Sequence, residues 1–217
     1  GYAFKDCTSL ENIILPDNLT VIGADIFSNT AYTNDKTAVY TDGVLYSGNW
    51  AVKLKTTAEN INLRQGTVGL LDGCLAAYFG SASLKTLFIP ETVRVVPKNA
   101  FERCRNLVSI NVNENNSYYT SIDGILYNKE RTELLKVPPK SPVTDLNLSD
   151  AVTAISKSAL SQCESLENVT IPPSVINIEK TVFTDCTNLK KINVANENEH
   201  YVSVGGVLYD KNKTMLM

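Results

Sequence analysis

Ala100-Phe101-Glu102-Arg103-Cys104-Arg105-Asn106-Leu107-Val108-Ser109-Ile110-Asn111-Val112 is one copy of a pattern that returns along the whole chain at a nearly fixed step. Written generally it is Ala-Phe-x-x-Cys-x-x-Leu-x-x-Ile-x-Ile, usually followed by Pro, then Val or Leu, then Ile three residues later. Phe4 to Phe27, Leu84 to Leu107 and Cys163 to Cys186 are each 23 residues apart. Self-similarity at such a period is the signature of a solenoid, in which one supersecondary unit stacks on copies of itself. Alternate residues of an extended segment point the same way, so Ile13 and Leu15 share one face. A strand this short cannot bury that face alone; stacked on its copies, it lines a continuous core.

The same reasoning places parallel strands at Ile13 to Leu15, Ile61 to Leu63, Leu87 to Ile89, Ile110 to Val112, Leu146 to Leu148, Val169 to Ile171 and Ile192 to Val194. A second phrase interrupts them: Asp42-Gly43-Val44-Leu45-Tyr46 returns as Asp123-Gly124-Ile125-Leu126-Tyr127 and Gly205-Gly206-Val207-Leu208-Tyr209. A turn dipeptide before a β-rich run reads as a hairpin, giving inserts near residues 39–56, 120–138 and 202–217. Pro90 to Pro172, Phe101 to Phe183 and Cys104 to Cys186 are all 82 apart, whereas Ile61 to Leu146, Leu63 to Leu148 and Leu75 to Leu160 are 85. The difference assigns three extra residues to a bulged loop around Ala77-Tyr78-Phe79-Gly80. Residues 1–217 read as one solenoid; the chain starts and stops inside repeats, which points to a piece of a longer protein.

Composition narrows the function classes. The 217 residues are 43% hydrophobic and 20% charged, with a net charge of -3. Scattered Lys and Arg form no basic stripe for a phosphate backbone, so nucleic acid is not an expected partner. The apolar runs are far too short to cross a bilayer, and no membrane insertion is expected.

Three stretches carry a resemblance: Ala3-Phe4-Lys5-Asp6-Cys7-Thr8-Ser9-Leu10, Ser165-Leu166-Glu167-Asn168-Val169-Thr170-Ile171-Pro172, and the insert Asp42 to Tyr46. The sequence resembles the BspA-like leucine-rich-repeat family over nearly its whole length. It departs from the family pattern at Thr30 and Ser81, which stand for Cys, at Leu75 and Leu160, which stand for Phe, and at Gly205, which stands for Asp. The expected fold is an α/β solenoid: a right-handed leucine-rich-repeat superhelix with parallel strands, short helical or 3₁₀ turns at the Phe segments, and β-hairpin inserts. The resemblance further implies a secreted or cell-surface bacterial protein that binds a host extracellular protein, fibronectin- or fibrinogen-like, or a glycan. A structural spacer of a larger surface protein is the alternative, and a hydrolase with a groove beside the hairpins a third.

The residues themselves argue for a non-enzymatic module without cofactor or metal. The single His, His200, sits in a polar loop without a nucleophile motif. The Asn113-Glu114-Asn115-Asn116 loop and its counterpart at Asn196 to His200 lack the order of a cation-binding loop, and Asn there reads as a turn former. Cys7, Cys104, Cys163 and Cys186 occupy one repeat position and are expected as an inward row of free thiols, since parallel Cβ vectors keep adjacent pairs out of disulfide range. The strand residues that point away from the core are Ile14, Asn62, Phe88, Asn111, Asn147, Thr170 and Asn193; their neighbours on that face are Asn12, Thr86, Ser109, Asn168 and Lys191. Two readings stand: a ladder of Asn amides bonded between coils, or a binding face. The hairpin aromatics Tyr46, Trp50, Tyr127 and Tyr209 form a second candidate patch, unless they pack on the solenoid.

Overall fold

The computed structural model describes residues 2–20, 22, 26–34, 39–54, 57, 59–72, 74–75, 83–102 and 104–216. The chain divides into two compact units, Gly1–Asn106 with Val112–Tyr118, and Leu107–Asn111 with Tyr119–Met217. In the first, α1 (Ala31–Asn34) precedes β1 (Val44–Ser47), β2 (Trp50–Leu54), β3 (Asn60–Asn62), β4 (Gly69–Leu70) and β5 (Thr86–Ile89). β3 pairs in parallel with β5, while β2 pairs antiparallel with β1 and parallel with β4. After β6 (Ser109–Val112), the second unit runs through β7 (Tyr119–Ile122), β8 (Ile125–Asn128), β9 (Glu133–Lys136), β10 (Asp145–Asn147), β11 (Ala154–Ile155), β12 (Asn168–Ile171), β13 (Asn177–Ile178), β14 (Lys191–Val194), β15 (Tyr201–Val204) and β16 (Val207–Asp210). One sheet has the order β10-β12-β14, and another the order β13-β11-β9-β8-β7.

A coil of the second unit therefore contributes two strands to a β-solenoid. Leu146, Val169 and Ile192 stand in register at a 23-residue step. With Leu148, Ile171, Val175 and Ile155 they form the core, each 7% exposed or less. Each such side chain contributes about 2 kcal/mol by burial. The bulged loop expected around Ala77 to Gly80 lies outside the described residues; Ile61 of β3 pairs with Leu87 of β5, 26 residues on. That is the 23-residue step plus three.

Three expectations need correction. The Phe segments are not helical. Ala100 N donates to Pro97 O and Glu102 N to Asn99 O; likewise Ala159 N donates to Ser156 O and Ser161 N to Ser158 O. These i→i+3 bonds fall on alternate residues and form turns, and in the second segment left-handed Ser158 (φ 58) and Gln162 (φ 66) break the run. The one helix among the described residues is the four-residue α1. Ile13 to Leu15 is not a strand: Leu15 N donates to Ser47 Oγ at 3.1 Å and Ser47 Oγ to Ile13 O at 2.7 Å, so a hydroxyl takes the place of a backbone ladder. Finally, the inserts are more than hairpins, since β2 and β9 pass directly into parallel pairing with β4 and β11.

Inter-coil bonds recur at fixed positions. The residue before the repeat Cys or its substitute is left-handed at Asp6, Asn29, Gln162 and Asp185, a conformation that Asn and Asp tolerate better than most. Asp6 N donates to Ser28 O at 2.9 Å, and Gln162 N to Thr184 O at 2.8 Å, in the neighbouring coil. The β7–β8 and β15–β16 hairpins are each anchored by a buried Asn. The Asn198 amide donates to Pro172 O at 2.8 Å and Val175 O at 3.0 Å, and its oxygen accepts from the backbone of His200 and Tyr201. Asn116 repeats the arrangement on Pro90 and Val93. Replacing Asn198 with Ala orphans two buried carbonyls and is expected to lower unfolding stability by about 3 kcal/mol. In urea titration, Asn147→Ala on the exposed face should stay within about 0.5 kcal/mol of the parent.

Candidate functional site

Each unit carries an outward strand face of its own. In the first, Asn62 of β3 lies opposite Phe88 of β5, and Thr86 opposite Asn60. In the second, Asn147, Thr170 and Asn193 form one row, and Asp145, Asn168 and Lys191 another. Neighbouring strands lie about 4.8 Å apart, so each row is a line of side chains at that spacing. Asn62, Asn147 and Lys191 are exposed; Phe88, Thr170, Asn168 and Asn193 are partly so. Asn12 and Ile14, the latter 76% exposed, lie on the stretch outside any sheet. Ser109 and Asn111 belong to β6, where the Asn111 amide donates to Ser109 Oγ at 3.4 Å.

The Asn ladder does not form, and register explains why. Asn147 faces Thr170, Thr170 faces Asn193, and Asn62 faces Phe88, so these pairs never bring two amides together. Inter-coil side-chain bonds occur in the other row instead. Asn168 Nδ2 donates to Asp145 Oδ1, and Thr86 Oγ1 to Asn60 Oδ1, both at 2.7 Å. Asp145 and Asn60 escaped the sequence reading, although the repeat step from Asn168 and Thr86 leads to both. Lys190–Glu167 and Lys85–Glu59 add exposed inter-coil ion pairs at 2.8 and 2.9 Å, of the kind worth little individually.

Hairpin turns stand beside this face. Gly124 O accepts from Ile110 N, and Gly206 O from Ile192 N, both at 2.9 Å. A methyl at Gly124 (φ 76) would lie 2.8 Å from Ser109 Cβ. The aromatic patch resolves in favour of packing: Trp50 is fully buried with Nε1 donating to Pro16 O at 3.1 Å, Tyr127 is buried, and Tyr46 and Tyr209 are half-buried. Lys136 was not foreseen. Its buried ammonium donates to Ser158 O, Ser161 O and Ser161 Oγ at 3.0 to 3.2 Å, which satisfies its three protons and marks it as structural. His200 is exposed, and among the described residues no cluster of His, Cys, Asp or Glu is arranged to hold a metal ion.

The model of the BspA type leucine rich repeat region matches the chain in six copies, over residues 1–107, 74–137 and 139–204. The chain belongs to this family. Three solved structures share the fold of this BspA-type chain. A leucine-rich cell surface protein from Faecalibacterium prausnitzii is 23% identical, with a TM-score of 0.56 over 88% of this chain and 43% of the other. A leucine-rich repeat protein from Eubacterium ventriosum is 20% identical, TM-score 0.55, over 88% of this chain and 55% of the other. The pneumococcal vaccine antigen PcpA is 20% identical, TM-score 0.52, over 67% of this chain and 33% of the other. The chain thus spans between a third and about half of these proteins. No curated protein matches.

The cysteines of this BspA-type repeat are free, but the row is not uniformly buried: Cys104 and Cys163 are buried, Cys186 is half-buried and Cys7 is exposed. Within the stack, Cys163 Sγ donates to Val137 O at 3.5 Å and Cys186 Sγ to Leu160 O at 2.9 Å, each in the preceding coil. Burial pushes the Cys163 thiol up from 9.0 to about 12, against the opposing pull of the Lys136 ammonium. Burial raises Cys74 and Cys186 as well. A thiol raised in the folded state favours folding below its unfolded pKa and loses that contribution as pH rises towards the folded value. Stability should therefore fall from about pH 9 upward, by about 1 kcal/mol per buried thiol over the first unit. Urea midpoints at mildly and strongly alkaline pH check this, and Cys163→Ala should flatten the dependence. A thiol reagent at neutral pH should label Cys7 first.

Proposed function

We propose that this chain is a non-enzymatic protein-interaction module of a secreted or surface-exposed bacterial protein, and that it acts as an adhesin for a host extracellular protein, fibronectin- or fibrinogen-like, or for a surface glycan. The observation that carries the reading is the outward strand face of each unit. Its central residues are largely Asn and Thr, their amides and hydroxyls point away from the core, and register keeps the Asn side chains from satisfying one another. Unspent donors and acceptors on a rigid scaffold suit recognition of peptide or sugar polar groups at low ordering cost. Phe88 adds a half-exposed aromatic of the type that anchors interfaces. Kinship with a cell surface protein and a vaccine antigen of the same fold supports the location.

The test is binding of the chain to immobilised fibronectin, fibrinogen and a glycan array, with one variant for each unit. Phe88→Ala probes the first; Asn147→Ala with Asn193→Ala probes the second. Saturable binding by the parent, weakened at least about tenfold by one of these folded variants, is the expected result. Binding unaffected by both variants removes the strand faces from the reading. Absence of binding to every surface leaves a spacer that projects other parts of its protein.

A further inference from the structure

A cleft of about 400 Å³ opens in the second unit between the β7–β8 hairpin and β10. Its floor is apolar, from Ile125, Val143 and Leu146, while Asp123 and Asp145 bring carboxylates to it and Arg131 a single guanidinium. One wall is main chain. β10 is the edge of its sheet, and the hairpin beside it does not pair with it, because the turn at Gly124 spends its carbonyl on Ile110. In a parallel strand, alternate residues direct their N–H and C=O to opposite sides. Leu148 N bonds to Thr170 O on the β12 side, so the backbone groups of Asp145 and Asn147 face the cleft.

The first unit shows what fills the corresponding space. Tyr46 corresponds to Tyr127 by the hairpin phrase, and Arg64 to Ser149 by the 85-residue offset that relates Leu63 to Leu148. There the Arg64 guanidinium carbon lies 4.1 Å from the Tyr46 ring centroid, Nη2 donates to Gly48 O at 2.6 Å, and Arg64 N donates to the Tyr46 hydroxyl at 3.0 Å. In the second unit Ser149 replaces that arginine, and Asp145 replaces Asn60, its counterpart at the same offset. The place has a serine for that arginine and a carboxylate for that asparagine, and the one guanidinium on its lining comes from Arg131 instead. Among the described residues no cation stands over Tyr127 as Arg64 does over Tyr46; Arg131 lies close enough to oppose the effect of Asp123 on the Tyr127 hydroxyl.

We propose that this cleft binds an arginine side chain of an extended peptide segment, the cation meeting Asp123, Asp145 and the Tyr127 hydroxyl while the peptide backbone pairs with the open edge of β10. Edge pairing supplies main-chain hydrogen bonds, and the pocket beside it supplies selectivity. Two carboxylates against one guanidinium favour a cation, and the planar guanidinium matches carboxylate geometry better than an ammonium does. The site shares Asp145 and Asn147 with the outward face of the preceding subsection, but its success or failure does not depend on the adhesin reading.

The probes are three blocked hexapeptides of alternating Val and Ala with one central variable residue: arginine, its neutral isostere citrulline, or glutamate. Amide chemical shifts of the 217-residue chain are followed during titration. The expected result is saturable shifts confined to residues 122–131 and 143–152, an affinity for the arginine peptide about tenfold or more above that for citrulline, and loss of binding in Ser149→Arg, which fills the cleft as Arg64 does in the first unit. Asp123→Asn, at an exposed turn, should weaken arginine binding and leave citrulline unchanged. Equal affinity for arginine and citrulline, preference for glutamate, no saturable shifts, or full binding by a folded Ser149→Arg chain each overturns the proposal. Should Ser149→Arg fail to fold, Asp123→Asn alone decides.

Discussion

Parallel backbone bonding between segments 23 residues apart is the interaction on which the other contacts depend. Taken alone, a coil of this length exposes both faces of two very short strands and has no interior. Once Leu146, Val169 and Ile192 are held in register, each apolar side chain is covered by the equivalent residue of the next coil, and burial becomes cooperative along the stack. The smaller bonds follow the same geometry. A thiol reaches the carbonyl of the coil before it, and a left-handed residue turns its amide towards the coil after it. Neither bond is available to a coil by itself.

Hairpins solve the problem this creates, because a stack of parallel strands ends in open edges. At β14 both outward groups of Ile192 are used, the amide on Gly206 O and the carbonyl by Ser203 Oγ. The trailing edge is thereby closed by a turn of the same chain. The hairpins in turn need holding, and the fully buried amides of Asn116 and Asn198 do so by meeting carbonyls of the preceding coil. Buried polar groups are costly unless completely bonded, which is why these two Asn bridge so many partners. The leading edge, at β10, receives no such closure, and the asymmetry between the two edges is what creates the cleft.

Much of this was legible because it is periodic. The strand positions, the inward residues and the three-residue excess before Leu84 all follow from offsets along the chain, and six of the seven expected strands form. What escaped was set by contacts rather than by pattern. Ile13 to Leu15 has the strand signature, yet Ser47 competes for its backbone groups. The Phe segments carry the short apolar spacing of helical turns, but left-handed residues interrupt the runs at Phe4, Phe27, Leu160 and Phe183, and nothing about Ser158 or Gln162 announces a positive φ. The second sheet was missed since two-residue strands such as β11 fall below any periodicity test. On the outward face, composition suggested Asn stacked on Asn. The register, which decides who faces whom, sets Thr170 between Asn147 and Asn193, and Phe88 opposite Asn62.

The hairpins also act as punctuation in the genetic sense. Between one open edge and the next closed one lies a run of coils whose only boundary requirement is a whole number of 23-residue steps. The pairing of β10 to β12 and of β12 to β14 uses the same offset and the same bonding scheme. A duplication of one coil inside that run would add a rung while leaving the Asn198 anchor and the Gly206 closure untouched. Length can therefore vary without redesign of either end, whereas a duplication out of step by even one residue would turn every inward side chain of the inserted strand towards solvent.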